Sequence, residues 1–358
     1  MKTIMMIAVA MAAALSMNVR TVDAFESVGV SSRWQAVPVN ARAMAMGGAY
    51  SGVLEGPEAA RWNPAVPLDG TAFAGSWNRA LETDDFIGIN RWSGAVSGEF
   101  RSLRLSLIRD DVTLGPMLVR TPYLPEGNGD WFEFRERVDL LSLSGDMTPV
   151  ILPGRSGLVT FGLGLRRAVF STETHTAEGE IEYEDDVEFY GLDMGVSVGR
   201  KTVGGDGPLM DWRVSAALMN GFRAAVDDHL SPAADLRLGG AWSLEQREWG
   251  GPLDSLRLLL VADWTRTVLY GDGDGPWRHN LGAELLVRNR VALRVGDAEN
   301  DHSALVADGM WGVGVVLDDL SDRFDLRLDY ARLSFDATEF KEEYSQDLVG
   351  VTCDLTPW

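Results

Sequence analysis

Leu192-Asp193-Met194-Gly195-Val196-Ser197-Val198-Gly199 alternates an apolar side chain with a small or charged one at every step. Successive side chains of an extended strand point to opposite faces, so these eight residues carry one apolar face and one polar, glycine-rich face. The pattern recurs in both directions from there. Toward the N-terminus, Leu103, Leu105 and Leu107 alternate with Ser102, Arg104 and Ser106, and Phe161, Leu163 and Leu165 with Gly162, Gly164 and Arg166. Toward the C-terminus come Leu281, Ala283, Leu285 and Val287 against Gly282 and Glu284, then Val291, Leu293 and Val295 against Arg294 and Gly296. Leu326, Leu328 and Tyr330 then alternate with Arg327 and Asp329. No long helical periodicity interrupts the series, which removes α/β architectures.

Fourteen strands are predicted, near 71–79, 85–97, 101–120, 132–147, 157–171, 187–201, 211–222, 234–247, 254–270, 277–288, 290–299, 310–317, 323–335 and 344–355. Glycine-rich turns such as Gly204-Gly-Asp-Gly-Pro208 and Gly250-Gly-Pro252 separate them. A soluble double sandwich would alternate in the same way, so the environment must be read from other features. The strands form one run with no linker to divide soluble domains. The inward positions carry charge, at Arg166, Asp193, Arg237, Asp263, Glu284, Arg294, Arg327 and Asp329, where a sandwich would be apolar between its sheets. Trp77, Trp92, Trp131, Trp212, Trp264, Tyr270, Trp277 and Trp311 stand near strand ends, where membrane interfaces favour amphipathic rings. The expected fold is all-β: a transmembrane antiparallel β-barrel of about fourteen strands.

Export is expected from the first residues. Lys2 precedes the uncharged run Ile4–Leu15, and Val22-Asp23-Ala24 offers small residues for cleavage, so 1–24 reads as a signal peptide. The run is too short for a spanning helix, which needs about 20 apolar residues. Cys353 is the sole cysteine, so an internal disulfide is excluded. A net charge of -21 argues against nucleic acid as a partner, because a phosphate backbone needs a basic footprint. The acidic stretch 176–186 reads as a solvated hairpin tip.

Catalysis finds little support. His175, His229, His279 and His302 lie near predicted loops or strand ends, and Asp227-Asp228-His229 or Asp301-His302-Ser303 is adjacency in sequence, not a triad. Asp272-Gly-Asp-Gly275 lacks the spaced further ligands of a calcium loop. No enzyme activity, cofactor or metal is expected.

The remaining segment, 25–70, precedes the barrel strands of 71–358 and is small, glycine-rich and partly apolar. It is expected to fill the barrel lumen. Pro57 suits the first turn of a short helix, and Pro64 disfavours helical geometry at Asn63, so the helix should stop around Trp62. Gly47-Gly48 permit a tight turn or a close backbone approach. Whether the segment gates a path or only fills the mouth stays open at this level. For the inward charges, a bracing network of Arg–Asp/Glu pairs is favoured over a polar conduit.

Arg42…Met46-Gly47-Gly48-Ala49-Tyr50 with Trp62-Asn63-Pro64-Ala65 resembles the N-terminal signature of the PorV/PorQ branch of the FadL-like outer-membrane proteins. Gly282-Ala-Glu-Leu-Leu-Val-Arg-Asn-Arg-Val-Ala-Leu-Arg-Val-Gly296 looks like the hairpin of that branch in which a Gly-Ala-Glu strand turns into an Ala-Leu-Arg strand. Phe324–Ala331 is similar to its next-to-last strand, and Tyr344–Leu355 takes the place of the closing one. The C-terminus departs from the pattern, since Pro357 interrupts the register before Trp358. The resemblance implies a fourteen-stranded outer-membrane barrel with an N-terminal luminal plug. Family members range from carriers of hydrophobic molecules to components of a protein-secretion system. Three roles are therefore carried forward. The first is a channel for hydrophobic or amphipathic small molecules. The second is a membrane-anchored adaptor for secretion-machinery proteins. The third is a lipid-binding barrel with structural duties. In each case outer-membrane lipid is a partner.

Overall fold

The computed structural model describes residues 40–81, 89–118, 131–152, 157–176, 181–200, 209–225, 234–247, 255–268, 277–298, 306–321, 324–336 and 343–355. The strands are β1 (Phe73–Leu81), β2 (Ile89–Phe100), β3 (Leu103–Leu118), β4 (Trp131–Asp146), β5 (Leu158–His175), β6 (Ile181–Arg200) and β7 (Leu209–Ala225). They continue with β8 (Ala234–Arg247), β9 (Ser255–Val268), β10 (Trp277–Val287), β11 (Val291–Ala298), β12 (Val306–Ser321), β13 (Phe324–Asp336) and β14 (Glu343–Leu355). Each pairs antiparallel with its sequence neighbours, and β1 closes on β14 from Phe73↔Leu355 to Leu81↔Asp347. Closure leaves no strand edge, which is what lets a sheet cross lipid.

Period-two alternation becomes inside and outside. Leu103, Leu105 and Leu107 on β3 are exposed, while Arg104, Ser106 and Ile108 between them are buried. Phe161, Leu163 and Leu165, then Val291, Leu293 and Val295, continue an apolar belt around the outer surface. Trp77, Trp212, Trp264, Trp277 and Trp311 are among its exposed rings. An exposed apolar surface this extensive belongs in lipid, so the barrel is transmembrane.

At the end where β1 begins and β14 finishes, residues 101–102 and 288–290 make short turns. The opposite end, where β1 finishes and β14 begins, is called the loop end below. β5 and β6, at 18 and 20 residues, are the longest strands, against 9 for β1 and 8 for β11. The wall therefore stands tallest toward the loop end over β3–β6.

Two expectations need correction. The acidic stretch 176–186 is not all hairpin tip: residues 181–186 belong to β6, with Tyr183↔Thr174, Glu184↔Glu173 and Asp185↔Thr172 in register. Charge does not stop the ladder, because backbone bonds hold it. A four-residue helix, Thr148–Ile151, also sits in the β4–β5 turn where only a loop was expected; Pro149 occupies its first turn. The expectations for 1–24, for Asp227–His229, Asp272–Gly275 and Asp301–Ser303, and for Pro357 and Trp358 lie outside the described residues.

Inside the barrel lies the segment 40–66, buried along almost its whole length. Helix α1 (Ala41–Ala45) starts at Asn40, whose Oδ1 accepts from the Ala43 amide at 2.7 Å. It is too short to show periodicity in sequence. Gly47 and Gly48 follow with φ of 68° and 76°, a turn that L side chains resist. After Gly56, also at positive φ, a 3-10 turn (Pro57–Arg61) ends at Trp62, before Asn63-Pro64.

Candidate functional site

The inner segment is seated on glycines of the wall. A Cβ at Gly296 would overlap the Gly47 amide, and one at Gly282 would press on Met46. At Gly312 it would meet Ala45, at Gly239 Ser51 and Gly52, at Gly195 Asn63, and at Gly162 the Pro64 carbonyl. These strand glycines were read only as part of a polar face. In the fold they let one backbone lie directly on another, the use of strand glycine that offsets its conformational cost.

Polar contacts complete the seat. Asp263 of β9 accepts from the amides of Tyr50 at 2.8 Å and Ser51 at 2.7 Å. Ser215 donates to the Ser51 carbonyl, Thr160 to Ala65 at 2.9 Å and Ser144 to Val66 at 2.7 Å. Asn63, fully buried, donates from Nδ2 toward the Val196 and Ala216 carbonyls while its Oδ1 accepts from Ala65. Trp62 donates to the Gly48 carbonyl and packs on Tyr50 with ring centroids 5.0 Å apart; Ala49 is buried beside them in the same apolar cluster. Backbone groups that have left regular structure thus find partners on the wall, as burial requires.

An ion-pair network binds the first turn of the segment to β10–β13. Arg42 donates to both oxygens of Glu284, at 2.9 and 2.8 Å, and meets Glu55 at 2.9 Å. Glu284 also accepts from its cross-strand partner Arg294 at 2.6 Å, and Arg327 approaches it at 3.4 Å. Asp329 takes Arg294 at 2.8 Å and Arg327 at 3.1 Å. Arg257 reaches Glu55 at 2.8 Å. Burial disfavours charge on Glu55, but Arg257 and Arg42 outweigh it and hold the carboxyl far below the usual range. Burial pushes the Tyr50 hydroxyl up, so it stays protonated and donates to the Glu55 carbonyl at 2.9 Å.

The other predicted inward charges separate from this group. Arg166 holds Asp193 through Nε and Nη2 at 3.2 and 2.9 Å, and Asp193 accepts from the Asn220 amide at 2.7 Å. Asn220 sits at φ 52° in an irregularity where the β6–β7 register jumps between Leu192 and Met194. Arg237 lies 3.8 Å from Asp235 and within electrostatic reach of Asp193 and Asp263. Arg61 of the 3-10 turn contacts Asp110 of β3. Sequence reasoning passed over Glu55, Arg61, Asp110 and Arg257. Alternation places the two wall residues, Asp110 and Arg257, inward on its own, but their partner segment gives no periodic signal.

Toward the loop end of β4–β6 an apolar cluster forms on the inner face around Glu136, the buried register partner of Phe170. Phe134, Val138, Ala168, Phe170, Val187 and Phe189 cluster on the inner face, with Phe134–Phe170 and Phe170–Phe189 centroids 6.2 and 5.3 Å apart. The outer face of the same strands carries Arg135, Arg137, Asp139, Arg167 and Glu188. Sequence reading missed this cluster because it assumed one polarity along each strand. The signal was available: Phe134, Val138, Phe170 and Phe189 share the parity of the buried wall residues.

No family model matches the chain, and neither does any curated protein. The PorV/PorQ resemblance therefore rests on the quoted residues alone. Among solved structures, the chain is similar to the Pseudomonas putida toluene transporter TodX, at 13% identity and TM-score 0.47, over 88% of this chain and 97% of that one. A Pseudomonas aeruginosa FadL homologue matches at 12% identity and TM-score 0.46, over 89% and 99%. The monoaromatic hydrocarbon channel CymD matches at 9% identity and TM-score 0.49, over 90% and 98%. Likenesses this weak carry no residue role from one chain to another, so the site is read from its own geometry.

Proposed function

We propose that this protein is an outer-membrane channel that receives apolar or amphipathic small molecules at the loop end of its lumen. The observation carrying the reading is the inward aromatic cluster of Phe134, Phe170 and Phe189, set where the outer face of the wall is charged. Apolar surface turned inward at that level offers a ring or an alkyl chain a place out of water. The segment 40–66 acts as a plug that stays in place while cargo moves. Glycine seats and the Arg42–Glu284 pair fix its backbone to the wall, so a molecule passes by its flank or through the wall. The described wall departs from regular pairing near this cluster in the β6–β7 ladder at Met219–Gly221, and also in β3–β4 between Leu114 and Met117. The adaptor alternative draws no support from the comparisons.

Uptake into proteoliposomes tests the channel, with toluene and a medium-chain fatty acid as probes. Phe170→Glu places a charge in the cluster and should lower uptake of both about tenfold, while the barrel still shows its folded band on an unheated gel. Undiminished uptake by the folded variant would remove the cluster from the path. Proteoliposomes of the wild type that take up neither probe would remove the channel reading.

A further inference from the structure

A second candidate binding site lies on the outside of the barrel. A groove of about 610 Å³ crosses the outer face of β2–β6 where the apolar belt gives way to charge. Its membrane side is Val96, Leu107, Leu141 and Leu165, each from 42% to 52% exposed. The register continues this row, one outward step along, into Gly94↔Arg109↔Asp139↔Arg167↔Tyr190. Gly94 leaves the floor of the groove without a side chain.

The charges along its upper rim balance, two arginines against two carboxylates, in a chain that is acidic as a whole. The protein carries a net -21, yet Arg109 and Arg167 flank the carboxylate Asp139. Each arginine spends one atom on an acid: Arg109 Nε donates to Asp139 at 2.6 Å, and Arg167 Nε donates to Glu188 at 2.5 Å. The Tyr190 hydroxyl donates to the same Glu188 oxygen at 2.6 Å, so that carboxylate is already shared. These bonds hold the two guanidinium groups in place with about half of each side chain exposed. The arginine tier is narrow: nearer the strand ends Glu133 faces Glu173, and the surface turns acidic.

We infer that this groove binds one membrane lipid with an anionic phosphate headgroup. An acyl chain lies against Leu107, Leu141 and Leu165, and the phosphate takes N–H donors of the exposed Arg109 and Arg167 guanidinium groups other than the Nε atoms that bond Asp139 and Glu188. The chemistry is matched at both ends. Planar guanidinium groups bind phosphate oxygens through paired N–H donors, and the aliphatic row offers methylene contacts at the depth where a lipid tail begins. The occupant belongs to the leaflet nearest the loop end. The site is separate from the lumen and stands whether or not the barrel carries cargo.

Native mass spectrometry of the whole protein tests this, released from nanodiscs of equal phosphatidylglycerol and phosphatidylcholine. About one phosphatidylglycerol should stay with each barrel in preference to phosphatidylcholine, and added salt should weaken that preference. Double substitution Arg109→Gln/Arg167→Gln should lower phosphatidylglycerol retention about tenfold, as two arginines near an anionic headgroup imply. Gly94→Leu should lower retention of both lipids by filling the groove; its Cβ would meet the Trp92 ring at 3.5 Å and the Ser76 carbonyl at 4.0 Å, both ordinary contacts. Equal retention of the two lipids by the wild type would overturn the proposal without any variant. So would retention unchanged in both variants, or a dimer in which a second copy covers the groove.

Discussion

Glu284 shows most clearly what a single residue does in this barrel. It is 2% exposed and accepts from Arg42, Arg294 and Arg327, so one carboxylate answers guanidinium groups of the plug, of its neighbouring strand and of a third strand. Removing it leaves buried cations without their acid, a loss of about 3–5 kcal/mol for a buried pair. Glu284→Gln should therefore convert from folded to unfolded gel mobility at a clearly lower temperature than wild type. Asp329→Asn should have a smaller effect, because its buried partner Arg294 keeps Glu284 and its other partner, Arg327, is partly solvated. If both variants kept wild-type heat resistance and altered only permeability, the network would be a conduit rather than a brace. The residue identities were legible beforehand, since parity alone places Glu284, Arg294, Arg327 and Asp329 inward. Their grouping with Arg42 and Glu55, apart from Arg166 and Asp193, was not. It depends on where α1 lies across the barrel.

At the scale of elements, the contact between plug and wall is backbone on backbone. Six strand glycines, at 162, 195, 239, 282, 296 and 312, would each drive a Cβ into the inner segment. Gly98 on the outer face of β2 would meet only the Ala72 carbonyl, at 3.5 Å. Gly296→Ala should accordingly loosen the plug and expose 40–66 to protease in intact proteoliposomes, whereas Gly98→Ala should leave digestion unchanged. Equal digestion of Gly296→Ala and wild type would mean that the seat yields freely. Strand positions were read well from alternation, as with Ala234–Arg247, because lipid outside and polar contacts inside impose period two. The reading failed where that boundary condition changes. Above the belt, water replaces lipid, and β4–β6 turn Arg135, Arg137 and Glu188 outward and Phe134, Phe170 and Phe189 inward.

For the whole molecule, the question is whether the plug must leave its seat for cargo to pass. A Cβ at Gly350 would stand 3.5 Å from that of Ala41, within disulfide reach, with the Asn78 side chain turning aside. In a Cys353→Ser background, Ala41→Cys/Gly350→Cys should close into a bridge tying α1 to β14. With the plug fixed, uptake by oxidised and reduced forms should agree within about twofold. Uptake restored only on reduction would show that the plug travels.

By itself the sequence determined a closed, lipid-facing barrel of fourteen strands with charge turned inward, because alternation is a local property and each strand meets the same two environments. It also marked the stretch from Arg42 to Pro64 as distinct. Only the tertiary structure decided which wall glycines seat that stretch, which carboxylates hold Arg42, and that Phe134, Phe170 and Phe189 meet on the inner face of the upper wall. Those are pairings between residues far apart in sequence, fixed when the barrel closes around the segment, and no periodicity along the chain encodes them.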